Sequence, residues 1–512
     1  MSKRVRTLLL SGVAVAVLAV LLVVLMLIPA PDTGDASQTT TTANPKVTVW
    51  DKSTGDKDGN SISVTAVTVK NGDAGFTLNA DQDGQLLLTD YPTLPHDNGT
   101  IVTLTNQLRV IEAIRLIDKA PTEPQKYGFD KEEPALSVSA TYSDGSTFAF
   151  EIGDENPDKS GRYLRVIETG AIYLYAAKSA ETFYTEGINY LSKSPVASPS
   201  LKEEEDAAED TVVVREAELS GSLRPVPIYY EVSSEAIVEG GVEASSTGYF
   251  IKKPYFRGMK MDSPLIDSSA YTSLFATSVA AVYPTSAQLA EWGLDNPYSQ
   301  CAFTLAARHA NVTKNENDKN VTTYSYYNAV EYTIRLGNVT EDGLRYAAVY
   351  EEGKLFPIVY RVQADKIAWA SVQYDDVADS LLFYTYIRNV KTVSTTAEGV
   401  TTTFSLTHTD DEDNNLIVKK GAETVAAEGF RELYQSMMAL QRSSATTDKP
   451  SGEAVFALKI TTNTAAVPNT DVKLYPYSGS KYLAAHASGE TYLIDAKAVE
   501  PFLKQYKEYV NQ

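Results

Sequence analysis

Cysteine is nearly absent: one residue, Cys301, in a chain of 512. No intramolecular disulfide can close, and the four histidines, His96, His309, His408 and His486, are too scattered to suggest a zinc site. Cys301 lies in the alternating stretch CAFTLAA and reads as a buried strand residue. No GxSxG elbow, Walker loop or dinucleotide glycine fingerprint stands where a strand would meet a helix. Positive charge is also in deficit, with 45 Lys plus Arg against 66 Asp plus Glu and a net charge of -21. Such a chain repels nucleic-acid phosphates and acidic lipid surfaces, which excludes nucleic acid as a partner. With so many acids, carboxylate pairs occur everywhere and single out no catalytic pair. The sequence therefore assigns no catalytic, cofactor-binding or metal-ligating residue, and a non-enzymatic role is expected.

Long apolar runs are lacking too, with one exception. Leu8 to Ile28 is uncharged and follows Lys3, Arg4 and Arg6. As a helix rising about 1.5 Å per residue it would cross the roughly 30 Å of a bilayer core. Basic residues before it, with Asp32 and Asp35 after it, orient its start to the cytoplasm and the bulk of the chain outside. A cleaved secretory signal is the alternative, but the run is long for one. Ile28, Pro29 and Ala30 also lack the small-x-small cleavage pattern, and Pro31 follows. No cysteine follows the run, so a lipoprotein anchor is excluded. The expectation is a single-pass cell-membrane anchor over residues 1–30. A polar stalk and lead-in follow over 31–59, where PDTGDASQTTTTANPK shows no apolar periodicity.

Beyond the stalk the chain repeats itself. RYLRVIETGAIYLY from Arg162, RYAAVYEEGKLFPIVY from Arg345 and KYLAAHASGETYLI from Lys481 share a basic residue before a tyrosine. A glycine follows in each (Gly170, Gly353, Gly489), then an aromatic residue (Tyr173, Phe356, Tyr492). ETG, EEG and ASG suit three-residue hairpin loops whose glycine takes a left-handed conformation. Upstream, Tyr127, Gly128, Phe129, Asp130 match Trp292, Gly293, Leu294, Asp295, and Ile152, Gly153, Asp154 match Leu336, Gly337, Asn338. Short amphipathic helices precede these segments: Ile101, Leu104 and Leu108 share one face, as do Phe430, Leu433 and Met437. The second unit has a partial version, Tyr271 and Leu274 behind Asp267 and Ser268. Helix-like segments also follow each hairpin, the last striped by Val499, Phe502, Leu503, Tyr506 and Val510. Between helices, alternating Val, Thr, Tyr and Phe with glycine turns predict antiparallel strands.

The fold class expected is α+β, with three related units at 60–196, 210–384 and 385–512. A solvated acidic linker, 197–209, carries KEEEDAAED from Lys202. NVTKNENDKNVTTYS from Asn311 reads as a surface loop between paired strands, and the third unit, lacking the aromatic-Gly-apolar-Asp signature, as the most diverged copy. Asn79, Asp81, Asp83, Gly84 and Asp90 fall at positions one, three, five, six and twelve of an EF-hand-like calcium loop. Strand-like flanks favour a hairpin turn on Asp83 and Gly84 instead, and THTDDEDNN from Thr407 reads as a solvated turn. The 32 tyrosines fit sheet packing, with sugar stacking as the alternative.

Taken in order, YGFDKEEP, a strand, FEIGDENPDKSGRYLRV and AIYLY resemble the bacterial domain-of-unknown-function family 4340 (DUF4340). The likeness is strongest from Asp118 to Tyr190, weaker from Val279 to Trp369, and reaches the third unit only through its hairpin. It implies membrane-tethered extracytoplasmic proteins, some encoded near ABC-type exporters and gliding-motility-like auxiliary proteins, with no established catalytic residues to carry over. The function expected is that of a membrane-anchored extracytoplasmic binding or scaffold protein, an accessory component of an ABC-type export or gliding-motility-like system. A cell-wall or glycan-binding adhesin and a membrane-bound envelope enzyme are the alternatives.

Overall fold

Alternation sets the strands. In LSVSATY, Leu136, Val138, Ala140 and Tyr142 are buried while Ser137, Ser139 and Thr141 face outward, so one side of the strand joins a core. The computed structural model describes residues 46–55, 59–131, 135–202, 210–233, 237–238, 241–242, 247–314, 318, 320–408, 416–463, 465 and 467–511. The apolar run from Leu8 to Ile28, the stalk up to Pro45, 203–209 of the acidic linker and 409–415 of the THTDDEDNN segment lie outside the described residues. Among the described residues no helix is long and apolar enough to cross a membrane.

The first unit holds β1 (Val47–Asp51), β2 (Val64–Lys70), β3 (Phe76–Ala80), β4 (Leu86–Leu88), α1 (Asn98–Arg109), β5 (Val110–Ala113), β6 (Arg115–Asp118), β7 (Leu136–Tyr142), β8 (Thr147–Glu155), β9 (Gly161–Val166), β10 (Ile172–Ala176) and α2 (Ala177–Glu181). The second holds β11 (Thr211–Ser220), β12 (Ile228–Val232), the short β13 (Ile237–Val238) and β14 (Gly241–Val242), β15 (Tyr249–Lys253), β16 (Arg257–Gly258), α3 (Ser269–Thr272), β17 (Ala276–Val282), α4 (Ser286–Glu291), β18 (Ser299–Lys314), β19 (Asn320–Val339), β20 (Arg345–Glu351), β21 (Lys354–Val362) and α5 (Tyr374–Val377). The third holds β22 (Val390–Ala397), β23 (Val400–His408), β24 (Leu416–Lys420), β25 (Glu423–Val425), α6 (Ala427–Met438), β26 (Arg442–Ala445), β27 (Phe456–Thr462), β28 (Thr470–Ser478), β29 (Lys481–His486), β30 (Thr491–Asp495) and α7 (Ala496–Val510).

All three sheets are antiparallel and share one strand order. It runs β4-β3-β2-β7-β8-β9-β10-β6 in the first unit, β15-β12-β11-β18-β19-β20-β21-β17 in the second and β24-β23-β22-β27-β28-β29-β30-β26 in the third. β16 and β25 each extend the outer edge by one strand. The fold is α+β and largely β. The third unit, whose sequence shared only its hairpin with the others, keeps the whole order. Its hairpin carries the likeness because loop and register residues are constrained, whereas core positions accept any apolar residue of fitting size.

The shared motifs mark places where backbone meets backbone. Gly128 and Gly293 turn the chain at φ 90° and 69°, laying the preceding aromatic residue's carbonyl against Gly153 of β8 or Gly337 of β19. A Cβ on either strand glycine would overlap the carbonyl oxygen of Tyr127 or Trp292. Asn338 N donates to that Trp292 oxygen at 2.7 Å. The basic residue of the hairpin answers from the next strand: Arg162 Nη1 donates to the Gly153 carbonyl at 3.3 Å and Arg345 Nη1 to that of Gly337 at 2.7 Å. In the third unit Lys481 pairs with Asp495 instead. Gly170, Gly353 and Gly489 have φ of 71°, 73° and 96°, the left-handed region expected of them. Their loops are not uniformly three residues, however, because the flanking pairing closes at residues 167–170, 352–353 and 487–489.

The helices follow suit in part. Ile101, Leu104 and Leu108 of α1 are buried, with Asp97 accepting from Thr100 N at its start. Phe430, Leu433 and Met437 of α6 are buried likewise. In the second unit the helix shrinks to the single turn α3, and Leu274 is buried beyond it. The segment from Asn311, expected as a surface loop, is mostly strand: β18 and β19 run for 16 and 20 residues and stay paired out to Lys314 and Asn320. Polar residues on both faces of a projecting hairpin leave no alternation to read.

Each unit is entered along the sheet edge formed by β6, β17 or β26. β1 pairs with β5, directly before β6. Asn189 Oδ1 accepts from Val279 N on β17 at 2.8 Å. Leu381 bridges Gln441, and Ser380 O accepts from Arg442 N of β26 at 2.8 Å. The first two units share one continuous apolar core, while the third has its own, centred on Phe404, Phe430 and Phe456.

Gly337→Ala is expected to cost about 1–3 kcal/mol through overpacking. Gly353→Val should cost about 1–2 kcal/mol through its left-handed conformation, and Gly353→Asn less. Urea unfolding followed by tryptophan fluorescence checks the ranking; equal, negligible changes would refute both roles.

Candidate functional site

Between the second and third units a buried polar cluster lies beside a small apolar one that joins Phe250 and Phe256 to Val467. Arg257 of β16 and Glu490, just before β30, form an ion pair at 2.8 Å with side-chain exposures of 4% and 5%. Arg257 also donates to the carbonyl of Leu381 on the connecting segment. Glu490 Oε1 accepts from the Tyr374 hydroxyl at 3.2 Å. Arg442 of β26 pairs with Asp375 at 2.8 Å and reaches Glu490 at 3.8 Å. The Arg257 guanidinium lies over the Tyr492 ring, and that of Arg442 over the Tyr374 ring. Burial, followed by the charge of Glu490, pushes the Tyr374 phenol up. His486 Nε2 lies 2.9 Å from the Tyr492 hydroxyl, and burial beside Arg257 holds this imidazole down at about 3.

The connecting segment is itself paired on both sides. Lys260 N donates to Val377 O and Asp379 N to Gly258 O, at 2.8 and 2.9 Å, before Ser380 and Leu381 pass on to the third unit. Beside it opens a cavity of about 360 Å³ whose walls include Met259, Asp379, Leu381, Tyr384, Tyr386 and Met438. A smaller one, about 210 Å³, adjoins it along Phe256, Arg257, Val467, His486 and Glu490. The junction joins charged groups, aromatic rings and enclosed space.

No sequence motif marked this place. Arg257 and Glu490 are 233 positions apart, and each resembles any other surface charge until the fold brings them together. The four histidines go to separate tasks. His96 Nε2 accepts from Leu88 N at 2.8 Å, and His408 Nε2 sits 3.3 Å from Val390 O. His309 Nδ1 lies 2.6 Å from Asp210, which also accepts from Tyr327. Asp210, expected to be solvated at the end of the charged run, is instead buried against β18 and β19 because two donors meet it there. Residues 197–202 of the expected linker lie along the same hairpin, with Asn328 Nδ2 donating to Ser200 O and the Tyr327 hydroxyl accepting from Lys202 N. Cys301 is fully buried in β18, and burial pushes its thiol up. In the calcium-like segment Asp81 closes a tight turn between β3 and β4, its Oδ1 accepting from Asp83 N and Gln85 N. That carboxylate caps a hairpin, as the strand-like flanks suggested.

Two outcomes test the junction. Glu490→Gln leaves a buried guanidinium without its counter-charge and is expected to cost roughly 3–5 kcal/mol. Replacing both partners, Arg257→Met with Glu490→Leu, should cost less; urea midpoints decide. His486 stays neutral when folded, down to about 3, whereas the unfolded chain takes up its proton near 6.5. Stability should therefore be full above pH 6.5 and fall as pH drops toward 3, by at most about 1.4 kcal/mol per pH unit from this group. His486→Gln should flatten that acid limb, and an unchanged slope would refute the assignment.

No curated protein and no solved structure matches the chain. The family model described as Domain of unknown function (DUF4340) matches residues 87–211. This is a narrower span than the resemblance in sequence, and it runs from β4 through the rest of the first sheet to the first residue of β11. Strands β5 to β10, the paired glycines Gly128 and Gly153 and the hairpin at Gly170 all fall inside that span, and residues 87–211 belong to the DUF4340 family.

Proposed function

We propose that this chain is a non-catalytic, extracytoplasmic binding or scaffold protein, held to the membrane by its amino-terminal apolar segment and working as an accessory of an ABC-type exporter. The observation that carries the reading is the thrice-repeated sheet, with the first two units sharing one apolar core and the third joined to the second by backbone pairing of the connecting segment. Ligands of a scaffold need surfaces held at fixed separation, and segments paired on both sides hold them better than free linkers. The tether supports the choice of partner. From Pro31 to Lys46 it is 16 residues. Even fully extended at about 3.5 Å per residue, it would keep the first unit within roughly 56 Å of the bilayer. Neighbouring membrane proteins lie inside that reach.

The test is crosslinking in native membranes followed by mild-detergent affinity purification, with an anchor-only chain as control. Recovery of a specific transport subunit, lost when residues 46–512 are deleted, is the expected result. Failure to recover any transport or envelope protein above the control, together with binding of purified glycan, would replace this reading with the adhesin one.

A further inference from the structure

The larger cavity at the junction has a chemical bias that the partner-binding role does not account for. Its walls bring three methionines, Met259 and Met261 from the second unit and Met438 from the third, together with Leu381 and two tyrosines. Tyr384 and Tyr386 meet edge to face, with ring centroids 5.9 Å apart. Into this apolar and aromatic space comes one mostly buried carboxylate, Asp379. Its Oδ1 accepts from Leu381 N at 2.6 Å. Among the described residues Asp379 forms no ion pair, and the two arginines that act on it are paired with other carboxylates. Arg257 is held by Glu490, Arg442 by Asp375, and Lys260 Nζ donates to the carbonyls of Asp375 and Asp376. Burial accordingly pushes the Asp379 carboxyl up, against the opposing pull of Arg257, Arg442 and Lys260.

A buried carboxylate without a counter-ion is costly unless something of opposite charge joins it. Aromatic faces attract organic cations, and flexible thioethers adapt to apolar groups of varied shape. The wall carries two carboxylates, Asp379 and Asp262, against one ammonium, Lys260, so its charge favours a cation over an anion. We propose that this cavity binds a small organic cation, a protonated or quaternary amine bearing a short chain or ring. Its charge sits against Asp379 and the ring of Tyr384, and its apolar part lies among Met259, Leu381 and Met438. The volume, about 360 Å³, lies toward the lower end of small-molecule pockets. Because the walls come from both units, the bound cation would also brace the seam between them.

The test uses the full chain in mild detergent and three probes of matched shape: phenethylammonium, 3-phenylpropionate and 3-phenylpropanol, titrated calorimetrically at neutral pH. Saturable binding of the ammonium, at least about tenfold tighter than either other probe, is expected. Asp379→Asn keeps the acceptor for Leu381 N and should weaken the ammonium about tenfold or more. Met438→Trp fills the cavity from the third unit and should abolish binding while the unfolding midpoint stays near that of the unsubstituted protein. Equal binding of the carboxylate or alcohol, undiminished binding by Asp379→Asn, or no saturable binding of the ammonium would each overturn the proposal.

Discussion

A sheet edge presents peptide groups with nothing to pair with, and in this molecule the meeting of edges governs how one unit follows another. In every unit one edge of the sheet is closed by β6, β17 or β26, and the chain entering the unit is laid against that strand or the residues just before it. β1 does this in the first unit, the turn around Asn189 in the second and the segment at Ser380 and Leu381 in the third. At the second and third units, contacting that edge and joining two units are therefore one event. It satisfies donors and acceptors that would otherwise face water or invite another strand, and it fixes where the next sheet begins.

The two junctions use different chemistry on top of that shared geometry. The first and second units merge into one apolar core, so their contact resembles the interior of a single domain. The second and third units keep separate main cores and meet through Arg257, Glu490, Arg442 and Tyr374 beside a small apolar cluster of Phe250 and Val467. A buried ion pair adds little net stability, since desolvation offsets most of its attraction. It is unforgiving of misplacement all the same. A third unit docked a few ångströms away would leave both charges buried and alone, so the pair selects one arrangement among many that backbone pairing would tolerate.

What could be read from the letters divides along the same physical line. The hairpin glycines and the aromatic-Gly pairs were legible because a backbone conformation or a backbone contact permits so few residues there. Gly153 and Gly337 lie where a carbonyl oxygen leaves no room for a Cβ, so their spacing to Gly128 and Gly293 recurs. The helix faces of α1 and α6 were legible from apolar period. The common strand order of the third unit was not, because sheet cores specify pattern and volume rather than identity. The extension of β18 and β19 was hidden by polar residues on both faces, and Asp210 by the acidic run beside it. Nothing local distinguishes Arg257, Glu490 or Asp379 from the other charged residues of an acidic chain; their character comes from neighbours that are distant in sequence.

The seam between the second and third units also has a mechanical meaning. Inside each sheet, long neighbouring strands share a ladder of hydrogen bonds, whereas the connecting segment is held by a few, at Gly258, Val377 and Ser380. A pull applied across the chain would thus load a short zipper in series with long ones. The zipper would part first, letting out slack while both sheets stayed intact, and it could re-form when tension fell. Such an arrangement makes the third unit the compliant end of an otherwise stiff molecule, able to yield under load without unfolding.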